Sequence, residues 1–196
     1  MLSGTSEGEN MLSSRFRSSN SAWLIVLLWV ITAPPNCKAA TREEINAGVN
    51  RALTQLYRTV PGTRGLARKA AGVLVFPTIY KAGFGIGGEY GEGALLIAGR
   101  TRGYYNTISA SIGFQFGAQA RSVVIMFMTR NALAGFRRKD GWKVGVDGSV
   151  ALVTVGLGGS VDTNQITSPI IGFMFGSKGL MYNLTLEGSK ISRISR

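Results

Sequence analysis

Three groupings in this 196-residue sequence could carry chemistry. Gly83, Gly85 and Gly88 stand at the spacing of a dinucleotide fingerprint, in which glycines let the backbone approach a pyrophosphate held at the start of a helix. Here the next residues are Glu89, Tyr90, Gly91, Glu92 and Gly93, which do not open a helix, so the spacing predicts glycine-permitted sheet geometry and no cofactor. Glu89 and Glu92 are the second grouping, a carboxylate pair that could do acid/base work or hold a cation. A separation of three puts them on opposite faces of a regular strand, and neither a partner base nor a third ligand accompanies them, so no catalytic or metal site is expected. The third grouping is Arg137, Arg138, Lys139 and Lys143, interleaved with Phe136 and Trp142 at an expected turn. An indole among flexible cations suits a membrane interface, with the ring at headgroup depth and the charges attracted to anionic lipid. The plainer alternative is a solvated turn with Trp142 folded into the core.

Composition removes most other chemistry. There is no His, which excludes Ser-His-Asp and Cys-His triads, His-ligated zinc and a haem His, and a single Cys cannot form an internal disulfide. The formal net charge of +12 points to acidic partners. Nucleic acid would use the same charges, yet the sequence carries no helix-turn-helix, RNA-binding aromatic pair or metal finger.

The elements that must position these residues follow from periodicity. Thr41 and Glu44 have capping-box spacing, and Ile45, Val49, Leu53, Leu56, Tyr57 and Val60 fall on one helical face until Pro61-Gly62. Arg51 and Arg58 project from the opposite side, so this amphipathic helix offers a second candidate membrane face. Gly65 to Ala71 can add a helical turn or two. From Gly72 onward period two replaces period 3.6, in short β-branched and aromatic stretches punctuated by glycine. The clearest alternation runs from Thr107 to Ala120, with Ile108, Ala110, Ile112, Phe114, Phe116, Ala118 and Ala120 on one face. The other face is small or polar, and the length predicts a bent strand or a coupled pair in a curved sheet, with glycines permitting the bend. Gly176 to Gly179 reads as the turn of a hairpin joining IIGFMF to LMYNLTLEG. Thr129 or Asn131 can cap a short second helix, NALAGFRR, before an Asp140-Gly141 turn. The fold class is therefore α+β: a curved, mostly antiparallel sheet or partial barrel with an N-terminal amphipathic helix and a short second helix.

Residues 1–39 read as an address. Arg15 and Arg17 precede an uncharged apolar run from Ala22 to Ala33, which breaks at Pro34-Pro35 and reaches small residues at Ala39-Ala40, the plan of a secretory signal peptide. The run is shorter than the roughly 20 residues of a membrane-spanning helix. Cleavage after Ala39 removes Cys37, and Asn36 and Pro34 do not suit lipid attachment to that Cys. Translation from Met11 would give a conventional basic start, whereas Met1 to Asn10 carries Glu7 and Glu9. The expected destination is outside the cytoplasm, in the periplasm.

From Ala70 the segments AAGVLVFPTIYKAGFGIGGEYGEG, GFQFGAQARSVVIMFMT, NALAGF and SKGLMYNLTLEGSKI resemble, in this order and spacing, the SYLF lipid-binding domain family. The resemblance covers Thr41 to Arg196, and its most specific pieces are Val75 to Pro77, Lys81 to Gly93 and Ser177 to Ser189. It implies phospholipid binding, without a cofactor and without a family catalytic residue to carry over. The expectation is thus an exported, non-enzymatic domain, residues 40–196, that binds an anionic phospholipid surface. Charge and geometry nominate Arg51, Arg58, Arg137, Arg138, Lys139, Trp142 and Lys143 as the lipid contacts. A structural envelope protein that meets a protein or glycan through the same basic surface is the alternative.

Overall fold

The chain divides into two units, Met1–Ala39 and Ala40–Arg196. A computed structural model describes residues 39–155, 167–179, 186 and 188–196, so the expected signal segment and nearly all of LMYNLTLEG lie outside the described residues.

Helix α1 spans Arg42–Thr59 and begins as its capping box requires: the Glu44 N–H donates to Thr41 Oγ1 at 3.2 Å while the Thr41 N–H donates to Glu44 Oε2 at 2.8 Å. Glu43 and Glu44 in its first turn and Arg58 in its last complement the helix dipole. Ile45, Val49, Ala52 and Leu56 are its buried stripe. A left-handed Gly62 then turns the chain into α2, Thr63–Lys69.

Strands β1 (Gly72–Ile97) and β2 (Arg100–Phe127) form one long antiparallel hairpin. Its tight turn is Ala98-Gly99, both with positive φ, which matches the right-handed twist of paired strands. After β2 come α3 (Arg130–Arg138, capped by Thr129), β3 (Trp142–Lys143), β4 (Ala151–Thr154), β5 (Ile170–Gly179) and β6 (Lys190–Ile194). Strand β2 is the hub of the sheet: it pairs antiparallel with β1 along its length, with β5 at its C-terminal end and with β6 at its N-terminal end. Strand β3 adds to β6, and β4 adds to β5 as the one parallel pair among the described strands.

Where β1, β2 and β5 meet, both faces of the sheet are covered. One carries α1 on Val73, Val75, Val124, Met126 and Phe173; the other carries Phe136 of α3 and Trp142 on Leu74, Phe76, Ile125 and Phe127. Burial on both sides explains why GVLVF and VVIMF read as continuous apolar runs.

Beyond this doubly covered block the β1–β2 ribbon curls back over itself. A Cβ at Gly83 would lie 2.6 Å from the Gly87 Cα, and one at Gly91 would lie 2.8 Å from the Thr78 carbonyl oxygen, so the two halves of β1 approach at backbone distance. This is the curved half-barrel that the sequence pattern predicts.

One local expectation is overturned. The segment Gly176 to Gly179 does not reverse the chain: β5 runs through it, and β2 and β5 shift register between Ala120 and Ser122. Gly176, at φ +67°, takes up the extra residue as a bulge, because β2 still offers a partner as far as Gln119. In the Thr107 to Ala120 alternation the apolar face is the outer one at the described side chains. Thr107 and Gln119 are buried whereas Ile108 is 50% exposed, because the apolar side continues the α1 face of the sheet past the helix that would cover it.

Candidate functional site

The apolar residues of α3 decide where its charges go. Leu133 and Phe136 turn into the core, and Phe136 packs edge-on to Trp142 at 5.6 Å between ring centroids. Arg137, Arg138 and Lys139 therefore emerge at the C-terminal end of α3, where the helix dipole favours cations. They form one wall of an open groove of about 980 Å³. Arg102 of β2 and Arg193 of β6 reach the same groove, as do Arg42 from the start of α1 and Arg196. Among the described residues seven cationic side chains line it, with Asp140 the one acidic residue.

Three contacts hold the cations in place. Arg196 pairs with Glu92, and the Arg42 Nε–H donates to the Arg196 carbonyl. Lys139 pairs with Asp147, whose second oxygen accepts the Lys143 N–H at 2.8 Å. The hydrogen bond from Lys139, then that from Lys143, holds the Asp147 carboxyl below the ordinary aspartate range. Tyr105 lines the groove with a mostly buried ring; burial pushes its phenol pKa up, and the Arg193 and Arg137 charges oppose that rise.

The structure sorts the residues that the sequence nominated. Arg137, Arg138 and Lys139 stand together. Lys143 is exposed but outside the groove lining. Trp142 does not sit at the surface: it is 2% exposed, packed against Phe127 and Phe136, so an interfacial role for its indole is overturned. The reason is that Trp142 begins β3 directly opposite Ile191, which points it into the apolar layer beneath α3. Arg51 and Arg58 are exposed on the back of α1 and line a separate shallow groove of about 700 Å³ with Thr54 and Gln55.

Glu89 and Glu92 diverge, as strand geometry predicts. Glu89 is buried between Lys81 at 3.3 Å and Arg121 at 2.6 Å. Glu92 accepts from Tyr90 at 2.5 Å and pairs with Arg196. Each carboxylate serves a cation, and the glycines at 83, 85 and 88 lie within β1.

Four groove residues escaped the sequence: Arg42, Arg102, Arg193 and Arg196. They lie in three stretches up to 154 positions apart, and the β2–β6 register, Tyr105 opposite Arg193, together with the Arg42–Arg196 bond brings them together.

The fold and site define a small α+β domain with a curled, mostly antiparallel sheet, an amphipathic helix across it and a cationic groove at one end. Residues 108–195 match the model of the family described as Ysc84, Las17-binding protein actin regulator, a stretch that runs from Ile108 within β2 to Ser195. The match is consistent with a SYLF family member and fits a general lipid-binding role. Among curated proteins no sequence matches the chain. No helix among the described residues is long and apolar enough to cross a membrane.

Proposed function

We propose that this chain is an exported, non-enzymatic domain that binds anionic phospholipid at a membrane surface, with headgroups taken up by the groove between α3, β2 and β6. The observation that carries the reading is the convergence of Arg42, Arg102, Arg137, Arg138, Lys139, Arg193 and Arg196 on one open groove. Like charges so gathered repel one another, and an anionic leaflet relieves that repulsion while gaining about 1 kcal/mol for each cation near its surface. Guanidinium groups suit this role because their planar forks match phosphate geometry. The groove is wide and open, which fits a surface with many headgroups better than one small enclosed ligand. Export to the periplasm rests on the order of basic, apolar and small residues in 1–39.

Co-sedimentation with vesicles tests the reading. Binding is expected on phosphatidylglycerol or cardiolipin vesicles and not on phosphatidylcholine alone, and it should weaken as added salt shortens screening from about 14 Å to about 4 Å. Equal binding to anionic and zwitterionic vesicles, or to neither, overturns it; the second result leaves a protein or glycan partner for the same surface.

A further inference from the structure

The curl of the β1–β2 ribbon is inside out. Its inner face carries the buried Lys81–Glu89–Arg121 ion pairs together with Gln119 and Thr107. Its outer face presents apolar side chains to solvent: Tyr80 at 64% exposure, Ile86 at 72%, Tyr90 at 44% and Ile108 at 50%, with the exposed Ala82 and Ala110 between. These are four of the five large hydrophobic residues exposed among the described residues, and they share one face because Tyr90 is opposite Ile108 and Ala82 opposite Ala118 in the register. Apolar outside and polar inside is the reverse of a ribbon built for water, and it is the arrangement of strands that face lipid.

Charge brackets this apolar face at both ends. Lys178 is opposite Ala120, which is opposite Tyr80, so the three occupy one row on one side of the sheet. Arg51 shares a small cavity of about 400 Å³ with Lys178 and Thr78 at the same end. At the other end Tyr90 donates to Glu92, and Glu92 holds Arg196 at the edge of the cationic groove. The apolar face is therefore continuous with the groove through Tyr90, Glu92 and Arg196.

We infer that the outer face of this curl is a second membrane contact, which enters the acyl boundary of the same leaflet whose headgroups fill the groove. This rests on the anionic-leaflet reading above. Ile86 is at the bend of the ribbon and goes deepest; Tyr80 and Tyr90, with an apolar ring and a polar tip, remain at headgroup level. Lys178 and Arg51 meet headgroups at the end away from the groove. Binding by this protein is then two-part: a salt-sensitive capture by the groove, followed by a salt-resistant hold by the curl.

The test compares the wild-type chain with Ile86→Ser/Ile108→Ser on phosphatidylglycerol-containing vesicles at about 50 mM and about 500 mM salt. Both positions are open to solvent, so the melting temperature checks that the fold is intact. The double variant should bind about tenfold more weakly at both salts, because apolar burial is not screened, whereas the affinity of either chain falls as salt rises. An Ile86→Trp variant should gain emission that brominated acyl chains quench. Identical binding of wild type and double variant at both salts overturns the inference while leaving the groove reading intact. Failure of the wild type to bind anionic vesicles overturns both. A wild-type dimer in sedimentation velocity that Ile86→Ser/Ile108→Ser converts to monomer also overturns it, in favour of a second copy of this chain on the face.

Discussion

Gly93 lies directly against the carbonyl oxygen of Val75, although the two residues belong to the same strand and are eighteen positions apart. A Cβ at Gly93 would strike that oxygen and the Phe76 ring, so glycine there is what lets β1 close over itself. Gly93→Ala should therefore lower stability by about 3 kcal/mol, through forced separation of the two halves of the strand. Gly65→Ala, inside α2 with nothing within 4 Å, should instead raise stability by about 0.5–1 kcal/mol. Urea unfolding of both variants checks the contrast, and equal midpoints would mean that the curl does not depend on this close approach.

Glu89 is the carboxylate that Lys81 and Arg121 share inside the curl. Replacing it with Ala leaves both buried cations without that carboxylate, which should cost about 3–5 kcal/mol. Glu43→Ala, at an exposed position in the first turn of α1, should cost about 0.3–1 kcal/mol. Thermal melts separate the two; a Glu89 variant as stable as the Glu43 variant would remove the ion pairs from any account of the fold.

The groove and Trp142 should respond to different assays. Replacing Arg137, Arg138 and Lys139 together with Ala should weaken anionic-vesicle binding by about a hundredfold, at roughly 1 kcal/mol per cation. Their side chains are exposed, so melting should barely move. Trp142→Ala should do the reverse and destabilise the fold by about 3–5 kcal/mol, as expected for a large buried ring. A Trp142 variant with native stability and impaired vesicle binding would put the indole back at the membrane.

Asp147 gives the groove a dependence on pH. Its carboxyl titrates below the ordinary aspartate value, so the bonds to Lys139 and Lys143 stabilise the turn above that value and are lost as pH falls through the lower, folded one. The Lys143 amide resonance, followed by NMR, should shift with a midpoint below 3.8. Asp147→Asn frees the Lys139 charge at neutral pH and should tighten anionic-vesicle binding about fivefold. A midpoint at or above the ordinary value would mean that the pairing does not favour the charged form.

Secretion bears on the first 39 residues. Expressed from its own start in a host with a secretory pathway, the protein should be recovered outside the cytoplasm, with an intact mass that begins at Ala40. Exported material that still contains Trp23 to Val30 would exclude cleavage there.

Much of the architecture was legible because it depends on local pattern. The Thr41–Glu44 box, the Thr129 cap and the switch from period 3.6 to period two at Gly72 each follow from neighbours within a few residues. What was not legible depends on distant partners. Alternation from Thr107 to Ala120 marks an apolar face but not which side of the sheet α1 will cover, so it does not give the outward direction of Ile108. The turn at Gly176 was misread because a glycine at positive φ serves a bulge as well as a reversal, and the choice lies with β2 across the sheet. The basic residues of α3 were visible as a run; Arg42, Arg102 and the Arg193–Arg196 pair stood in three unrelated segments until β6 paired with β2.

Strand β2 takes part in three pairings, with β1, β5 and β6, and this sets an order of assembly. The β1–β2 hairpin can zip outward from Ala98-Gly99 with short loops to close, whereas β5 and β6 must search across about forty to ninety residues before they dock. An early hairpin without its later neighbours would expose Val123 to Phe127 along one edge, the stretch with the strongest tendency to pair with another chain. Once β5 arrives, those same five amides are hydrogen-bonded between two strands beneath two apolar layers. The segment most hazardous during folding thereby becomes the one where hydrogen exchange should be slowest in the native protein.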